Sequence, residues 1–278
     1  EATMRNKFTL LLATLLCGML FMGAGLAGAE EKFPLRAKHP KLSPIETKEL
    51  ASIFSDAVIV DARNKVEFDV VQMVGAHNIL VGQMKEGDLL ALRPKDDATP
   101  LIFYCNGTTC AKSYKAAEKA TEWGFKNVRV YDEGIFAWAQ AQPERTKFFG
   151  QKLNAKTVKS SLISKEQLAK VSVPTADFLA LAANAKYAIF DIRDPNERTE
   201  QPIRLPKLKV MPMDTFVNLL EKKSKAIPTS SILILDNVGK QVDWIQYYLI
   251  KEGVTDYRFL KGGVLQWVKD GYSPEGKK

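Results

Sequence analysis

The sequence predicts an α/β protein made of two tandem domains, each with a parallel central sheet flanked by helices. Short apolar, β-branched runs alternate with helical patterns, which is typical of parallel sheets covered by helices. A set of landmarks also recurs after about 130 residues, which indicates two copies of one domain. Asp61-Ala-Arg63 recurs as Asp191-Ile-Arg193, and Gly134-x-x-x-Trp138 recurs as Gly263-x-x-x-Trp267.

The composition is that of an ordinary globular protein. Of 278 residues, 46% are hydrophobic and 26% are charged, which excludes disordered and collagen-like chains. The chain has only two histidines, His39 and His77, which argues against a histidine-based metal site or a Ser-His-Asp triad. We therefore expect neither a metal nor a cofactor. The net charge of +8 suits anionic partners but is spread along the chain, so nucleic acid is not predicted.

Residues 1–29 have the pattern of a targeting segment. A basic start with Arg5 and Lys7 precedes an uncharged apolar stretch, and Ala27-Gly28-Ala29 is typical of a cleavage site. The stretch is also long enough to span a bilayer if it is retained. We predict an exported protein, periplasmic or extracellular, with a signal peptide at 1–29; an N-terminal membrane anchor is the alternative.

The first domain is predicted at residues 40–142. A buried strand at 101–104 leads through a loop into a helix from about Cys110 to Trp123, and a second strand follows at 128–131. Gly124 stands where a left-handed helix cap is expected. This strand–loop–helix–strand order is that of one α/β unit.

The second domain is predicted at residues 164–275 and repeats this order. A strand at 232–235 precedes a helix with one apolar face, and a strand at 257–260 follows. Between the domains, the polar and basic residues 143–163 predict a solvated linker. A surface patch for an acidic lipid or a protein partner is the alternative for this segment.

The order of Asp-x-Arg, strand, cysteine loop, helix and Gly-x-x-x-Trp resembles the rhodanese-like (sulfurtransferase) family. The resemblance covers residues 40 to 275, as two tandem rhodanese-like domains. It implies that a catalytic cysteine follows the central strand, in a loop that leads into a helix. It also implies that sulfane sulfur passes through a cysteine persulfide to an acceptor such as cyanide or a thiol.

Cys105 is the predicted catalytic residue and persulfide carrier. Loop N–H groups and the positive end of the following helix favour a thiolate there and suit an anionic substrate such as a thiosulfonate. A buried structural cysteine is the alternative. Cys110 is either a resolving thiol, able to form a disulfide with Cys105, or a residue without a role. The predicted substrate-binding loop comprises Asn106, Gly107, Thr108, Thr109, Cys110, Ala111 and Lys112.

The corresponding loop of the second domain predicts a degenerate site with Asp236, Gly239 and Lys240. Aspartate cannot carry a sulfane sulfur, so this domain is expected to be catalytically silent. Its loop either holds a ligand or partner or only completes the fold. The first loop departs from the family pattern, with Gly107 two residues after Cys105 and a cysteine at the usual arginine position. Without that arginine to bind phosphate, a phosphatase is disfavoured.

The predicted function is an exported sulfurtransferase that uses thiosulfate or a related sulfane-sulfur donor. The alternative is a non-catalytic redox or binding module with a Cys105–Cys110 disulfide, as part of a membrane-associated assembly. The expected partners are a small sulfur-containing anion or thiol acceptor, and a protein bound through the second domain. Membrane contact is expected only if residues 8–29 are retained.

Overall fold

The chain divides into two compact units. The computed structural model describes residues 32–93, 95–96 and 98–278, so the predicted targeting segment lies outside the described residues. Within these ranges, the structure contains no helix with the length and apolar character needed to cross a membrane. The first unit comprises residues 32–63 and 75–142, and the second comprises 64–74 and 143–278.

Strands and helices alternate along most of the described chain. The strands are β1 (Ser43–Pro44), β2 (Val58–Asp61), β3 (Val71–Met73), β4 (His77–Asn78), β5 (Leu101–Tyr104), β6 (Val128–Tyr131), β7 (Thr146–Phe148), β8 (Gln151–Lys152), β9 (Ser172–Val173), β10 (Ala188–Asp191), β11 (Leu208–Val210), β12 (Ile232–Leu235) and β13 (Tyr257–Leu260). The α-helices are α1 (Thr47–Ile53), α2 (Lys65–Val70), α3 (Glu86–Leu90), α4 (Lys112–Glu122), α5 (Gly134–Ala141), α6 (Val158–Ser161), α7 (Lys165–Val171), α8 (Thr175–Ala182), α9 (Pro195–Glu200), α10 (Met213–Glu221), α11 (Gln241–Lys251) and α12 (Gly263–Lys269). Short 3₁₀ helices lie at Arg36–Lys38 and Pro143–Arg145.

The first unit is built on a parallel sheet with the order β1-β6-β5-β2-β4. Every residue of the central strand β5 is buried, as expected for a parallel strand that is covered on both faces. Helix α4 contacts β5 and β6, and its alanines pack into the core around Phe103. Cys105 directly follows β5, so the sheet places it at the carboxyl edge of the central strand.

The second unit contains a parallel sheet with the order β9-β13-β12-β10-β11. The central strand β12 is again fully buried, and helix α8 contacts β12 and β13. Phe178, Leu233, Leu260 and Trp267 form part of its core. Asp236 follows β12 as Cys105 follows β5. The α/β class with parallel sheets flanked by helices is therefore confirmed.

Two segments lie elsewhere than the sequence predicted. Residues 64–74, assigned to the first domain, belong to the second unit, where α2 contacts α10 and α11. Residues 143–163, predicted as a solvated linker, contain β7, β8 and α6, and β7 pairs with β3 and β8 in an antiparallel sheet. The linker prediction is corrected because Thr146, Leu153 and Val158 are buried.

Candidate functional site

The two strand-end loops are anchored in the same way. The backbone N–H of Ile135, in the first turn of α5, donates to the Cys105 carbonyl at 3.0 Å. In the second unit, the N–H of Val264, in the first turn of α12, donates to the Asp236 carbonyl at 2.9 Å. The start of one helix therefore holds the residue that follows the central strand in each unit.

The glycine of each Gly-x-x-x-Trp motif lets this helix start approach the loop backbone. Gly134 has a φ of +80°, and a Cβ atom there would lie 2.4 Å from Gly107. Gly263 has a φ of +65°, and a Cβ atom there would lie 2.5 Å from backbone atoms of Asn237 and Val238. Only glycine fits both the positive φ and the close contact. These glycines therefore allow the strand-end loops to pack directly against the first turns of α5 and α12.

Cys105 is fully buried. Its sulfur donates to the Cys110 carbonyl at 3.0 Å and lies 3.2 Å from the Ser113 hydroxyl. Burial raises the pKa of the Cys105 thiol well above its ordinary value, because removal from water disfavours the charged form. This direction opposes the thiolate that the sequence predicts at Cys105, and the role of Cys105 stays a prediction. The sequence indicated that a helix N-terminus lies near Cys105. It could not show that the Cys105 side chain is removed from water.

Cys110 has the surroundings that were predicted for Cys105. It is half-buried, two residues before α4 begins. A hydrogen bond from the Cys105 thiol lowers the pKa of Cys110 to about 6, with help from the backbone N–H groups of Asn106 and Lys112 and from the Lys112 charge. The described thiols Cys105 and Cys110 are both free. These surroundings favour negative charge at Cys110 over Cys105.

The remaining predicted loop residues connect these two thiols. The Cys110 N–H donates to the Gly107 carbonyl at 2.9 Å, which closes a turn. The Arg63 guanidinium lies 3.4 Å from the Asn106 side-chain oxygen. Thr109 at the tip of the turn is exposed. The structure therefore brings the predicted segment together as one short loop. Its other members, Thr108, Ala111 and Lys112, are partly exposed.

The loop of the second unit encloses its own carboxylate. Asp236 is fully buried. Its two oxygens accept backbone N–H groups from Gly239 at 2.6 Å, Lys240 at 2.8 Å, Gln241 at 2.7 Å and Val242 at 3.3 Å. Burial raises the pKa of Asp236, and the four N–H groups oppose that rise. The loop N–H groups that could bind an anion are therefore occupied by a residue of the chain.

The Asp-x-Arg motifs form buried ion pairs beside the two loops. Arg63 binds Asp61 through Nε at 2.9 Å and Nη2 at 2.6 Å. Arg193 binds Asp191 through Nε at 2.9 Å and Nη2 at 2.7 Å. Each pair occupies the end of a strand adjacent to the central one, so its geometry fits a structural role.

Sequence reasoning missed two contributors to the site. Ser113 directly follows the predicted loop, but only the folded chain brings its hydroxyl to the Cys105 sulfur. Gly134 was noticed as a landmark of the repeat, whereas its contact with Gly107 is a tertiary one. The glycine itself, repeated at the start of both Gly-x-x-x-Trp motifs, is the sequence signal that could have pointed to a close backbone approach.

Comparison with known proteins finds similarity over the first predicted domain. Residues 46–141 match the family model described as the rhodanese-like domain. A probable adenylyltransferase/sulfurtransferase MoeZ of Mycobacterium tuberculosis is 32% identical over 110 residues, which cover 39% of this chain and 27% of that protein. The uncharacterized protein YibN of Escherichia coli is 31% identical over 84 residues, which cover 30% of this chain and 57% of that protein.

The chain thus spans between about a quarter and somewhat over half of the length of these curated relatives. Among solved structures, thiosulfate sulfurtransferase from Pseudomonas aeruginosa aligns with 84% of this chain and 45% of its own. That alignment has 16% identity and a TM-score of 0.36.

Proposed function

We propose, from the match of residues 46–141 to the rhodanese-like domain model, that the protein is an exported sulfurtransferase. It carries sulfane sulfur as a persulfide on the loop that contains Cys105 and Cys110. The observation that carries this proposal is the thiol pair itself. Both thiols follow the central strand, and one of them ionises near neutral pH beside a helix N-terminus.

The proposed reaction needs no group beyond a thiolate and a donor. A loop thiolate attacks the outer sulfur of thiosulfate, a new S–S bond forms, and the bond between the two thiosulfate sulfurs breaks. Sulfite leaves with the electron pair, and the protein keeps one extra sulfur as a persulfide. An acceptor thiolate or cyanide then takes that sulfur and releases the protein thiolate. Oxidation states and charges balance over the two steps.

The second unit has no part in the transfer. Asp236 stands where a carrier thiol is needed, and a carboxylate does not form a persulfide. Its buried negative charge, held by four backbone N–H groups, also excludes an anionic donor from the loop. These contacts support a catalytically silent second unit. Gly239 and Lys240 belong to this degenerate site, because their N–H groups donate to Asp236.

Mass spectrometry of the full chain tests the proposal. Incubation with thiosulfate or a polysulfide should add one sulfur, about 32 Da, to the wild type. The variant Cys17→Ser, whose replaced thiol lies outside the loop, serves as the matched control and should gain the same mass. The double variant Cys105→Ser/Cys110→Ser should gain none. Persulfide formation in the double variant at the wild-type rate would contradict the proposal.

A second candidate function is a redox or binding module with a Cys105–Cys110 disulfide. It is favoured by the Cys105 sulfur lying 3.0 Å from the Cys110 carbonyl oxygen, which keeps both cysteines within one short loop. Titration of free thiols in protein purified without reductant and then unfolded in denaturant, so that the buried Cys105 also reacts, separates the candidates. Two reactive loop thiols support the sulfurtransferase, and none supports the disulfide module.

Export depends on residues 1–29. N-terminal sequencing of the native protein tests it, since a mature chain that begins at Glu30 in the soluble fraction indicates cleavage. Retention of the segment in a membrane fraction supports the anchor instead.

A further inference from the structure

A short segment that precedes the rhodanese-like match packs onto the first unit. The match begins at residue 46, and the 3₁₀ helix Arg36–Lys38 lies before it. Arg36 binds Asp132 through a fork of two hydrogen bonds, with Nε 2.8 Å from Oδ2 and Nη2 2.9 Å from Oδ1. The Asp132 side chain is only 2% exposed, so this ion pair holds a buried carboxylate in one orientation.

Asp132 also joins the two elements that support the cysteine loop. Its Oδ2 accepts the hydroxyl of Tyr114, in the first turn of α4, at 2.6 Å. Tyr114 directly follows Ser113, whose hydroxyl lies 3.2 Å from the Cys105 sulfur. On the other side, Asp132 lies two residues before Gly134, which packs against the backbone of the cysteine loop. Asp132 therefore ties the start of α4 to the chain that leads into α5.

The second unit has a different set of residues at this place. The offset of 129 residues from Gly134 to Gly263 puts Lys165, Asp243 and Lys261 at the positions of Arg36, Tyr114 and Asp132. These three residues line a cavity of about 200 Å³, and within the described part of the chain the buried Oδ1 of Asp243 has no hydrogen-bond partner. The strand-end loop of this unit is nevertheless anchored as in the first. The fold therefore forms without the Arg36 contacts, which occur in the unit that carries the thiols.

We propose that Arg36 is a positioning residue for the sulfur transfer. Through Asp132 and Tyr114 it holds the start of α4, and with it the Ser113 hydroxyl, against the Cys105 sulfur. A loop thiol that attacks a donor must keep its direction along the line of the new S–S bond, and small displacements of a reacting group slow such steps. Arg36 acts only through these contacts and takes no part in the bond changes. This inference rests on the proposed function and adds to it a residue outside the family match.

The kinetics of sulfur uptake from thiosulfate by full-length variants test the inference. Arg36→Lys keeps the positive charge but loses the fork, and Tyr114→Phe keeps the ring but loses the hydroxyl. Each should lower the maximal rate of persulfide formation per reactive site by about tenfold and leave the half-saturating thiosulfate concentration within about twofold of the wild type. Arg129→Lys is the matched control. Arg129 lies near the start of β6 and makes a similar fork to Glu49, at 2.9 and 3.2 Å, so this variant should keep the wild-type rate.

The number of reactive sites in each preparation is measured from the total sulfur taken up at saturation. A merely structural role of Arg36 would lower this number and leave the rate per site unchanged, whereas a positioning role lowers the rate per site. A wild-type rate per site in either Arg36→Lys or Tyr114→Phe, or an equal loss in Arg129→Lys, would overturn the inference and leave the proposed function intact. If the wild-type protein takes up no sulfur, the proposed function fails and the inference fails with it, so the two failures are distinguishable.

Discussion

The reactivity of Cys110 toward an alkylating reagent gives a quantitative check on the loop. Its pKa is lowered from the ordinary 9.0 to about 6, first of all by the hydrogen bond from the Cys105 thiol. At pH 7 the ionised fraction is then about 90%, compared with about 1% for an ordinary thiol. A thiolate of lower basicity is also less nucleophilic, with a Brønsted coefficient of about 0.4–0.5.

These two effects oppose each other. Three pKa units reduce the intrinsic reactivity of the thiolate by about 15- to 30-fold, against a gain of about 90-fold in its population. Cys110 should therefore react only about three- to sixfold faster than an ordinary thiol at pH 7. Its rate should nevertheless reach a plateau above a midpoint near pH 6, where an ordinary thiol is still almost fully protonated.

The assay is the pH dependence of iodoacetamide labelling, with the Cys110 label quantified by peptide mass spectrometry. Cys105→Ala removes the thiol group that contributes most to the lowered pKa of Cys110 and should raise the midpoint by about one pH unit. Cys105→Ser retains a donor and should leave the midpoint close to that of the wild type. A wild-type midpoint near 9, or a midpoint that Cys105→Ala does not move, would refute the reasoning.

Three further predictions concern stability and loop geometry. Asp236→Ala leaves four N–H groups of the second loop without their acceptor. It should lower the free energy of unfolding, measured by urea titration, by about 3 kcal/mol or more. Asp236→Asn should lower it less, because one side-chain oxygen remains. Gly134→Ala should cost about 3 kcal/mol and abolish persulfide formation, because its Cβ would lie 2.4 Å from Gly107. The control Gly124→Ala, at a φ of +86° with open space around it, should cost about 1 kcal/mol and keep activity. Burial raises the pKa of Asp243 to about 6, so the folded state binds the proton more tightly than the unfolded state. The free energy of unfolding should therefore fall as pH rises from about 4 to 6. Asp243→Asn should remove this dependence, and a variant with the same pH profile as the wild type would contradict the prediction.

Local sequence patterns were sufficient for the central strands and the helix that follows each loop. The predicted strands at 101–104, 128–131, 232–235 and 257–260 have those bounds in the structure. Short, fully apolar runs bounded by polar turns, as at 101–104 and 232–235, are typical of buried parallel strands, so local sequence was enough to place them. By contrast, residues 64–74 and 143–163 have mixed polarity, and only their packing in the second unit decides their place.

The sequence alone established the α/β class, the recurrence of its landmarks and the position of a cysteine directly after a central strand, because apolar periodicity and residue identity are local properties. It placed Cys105 and Cys110 in one loop but could not tell which of them ionises. That choice depends on burial and on the direction of hydrogen bonds, which arise only when the loop folds between β5 and α4. The same applies to Asp236, where a residue that is plainly unable to carry sulfur proves to occupy the backbone N–H groups of its own loop. Desolvation and donor geometry are tertiary quantities, and they decide the chemistry of both loops.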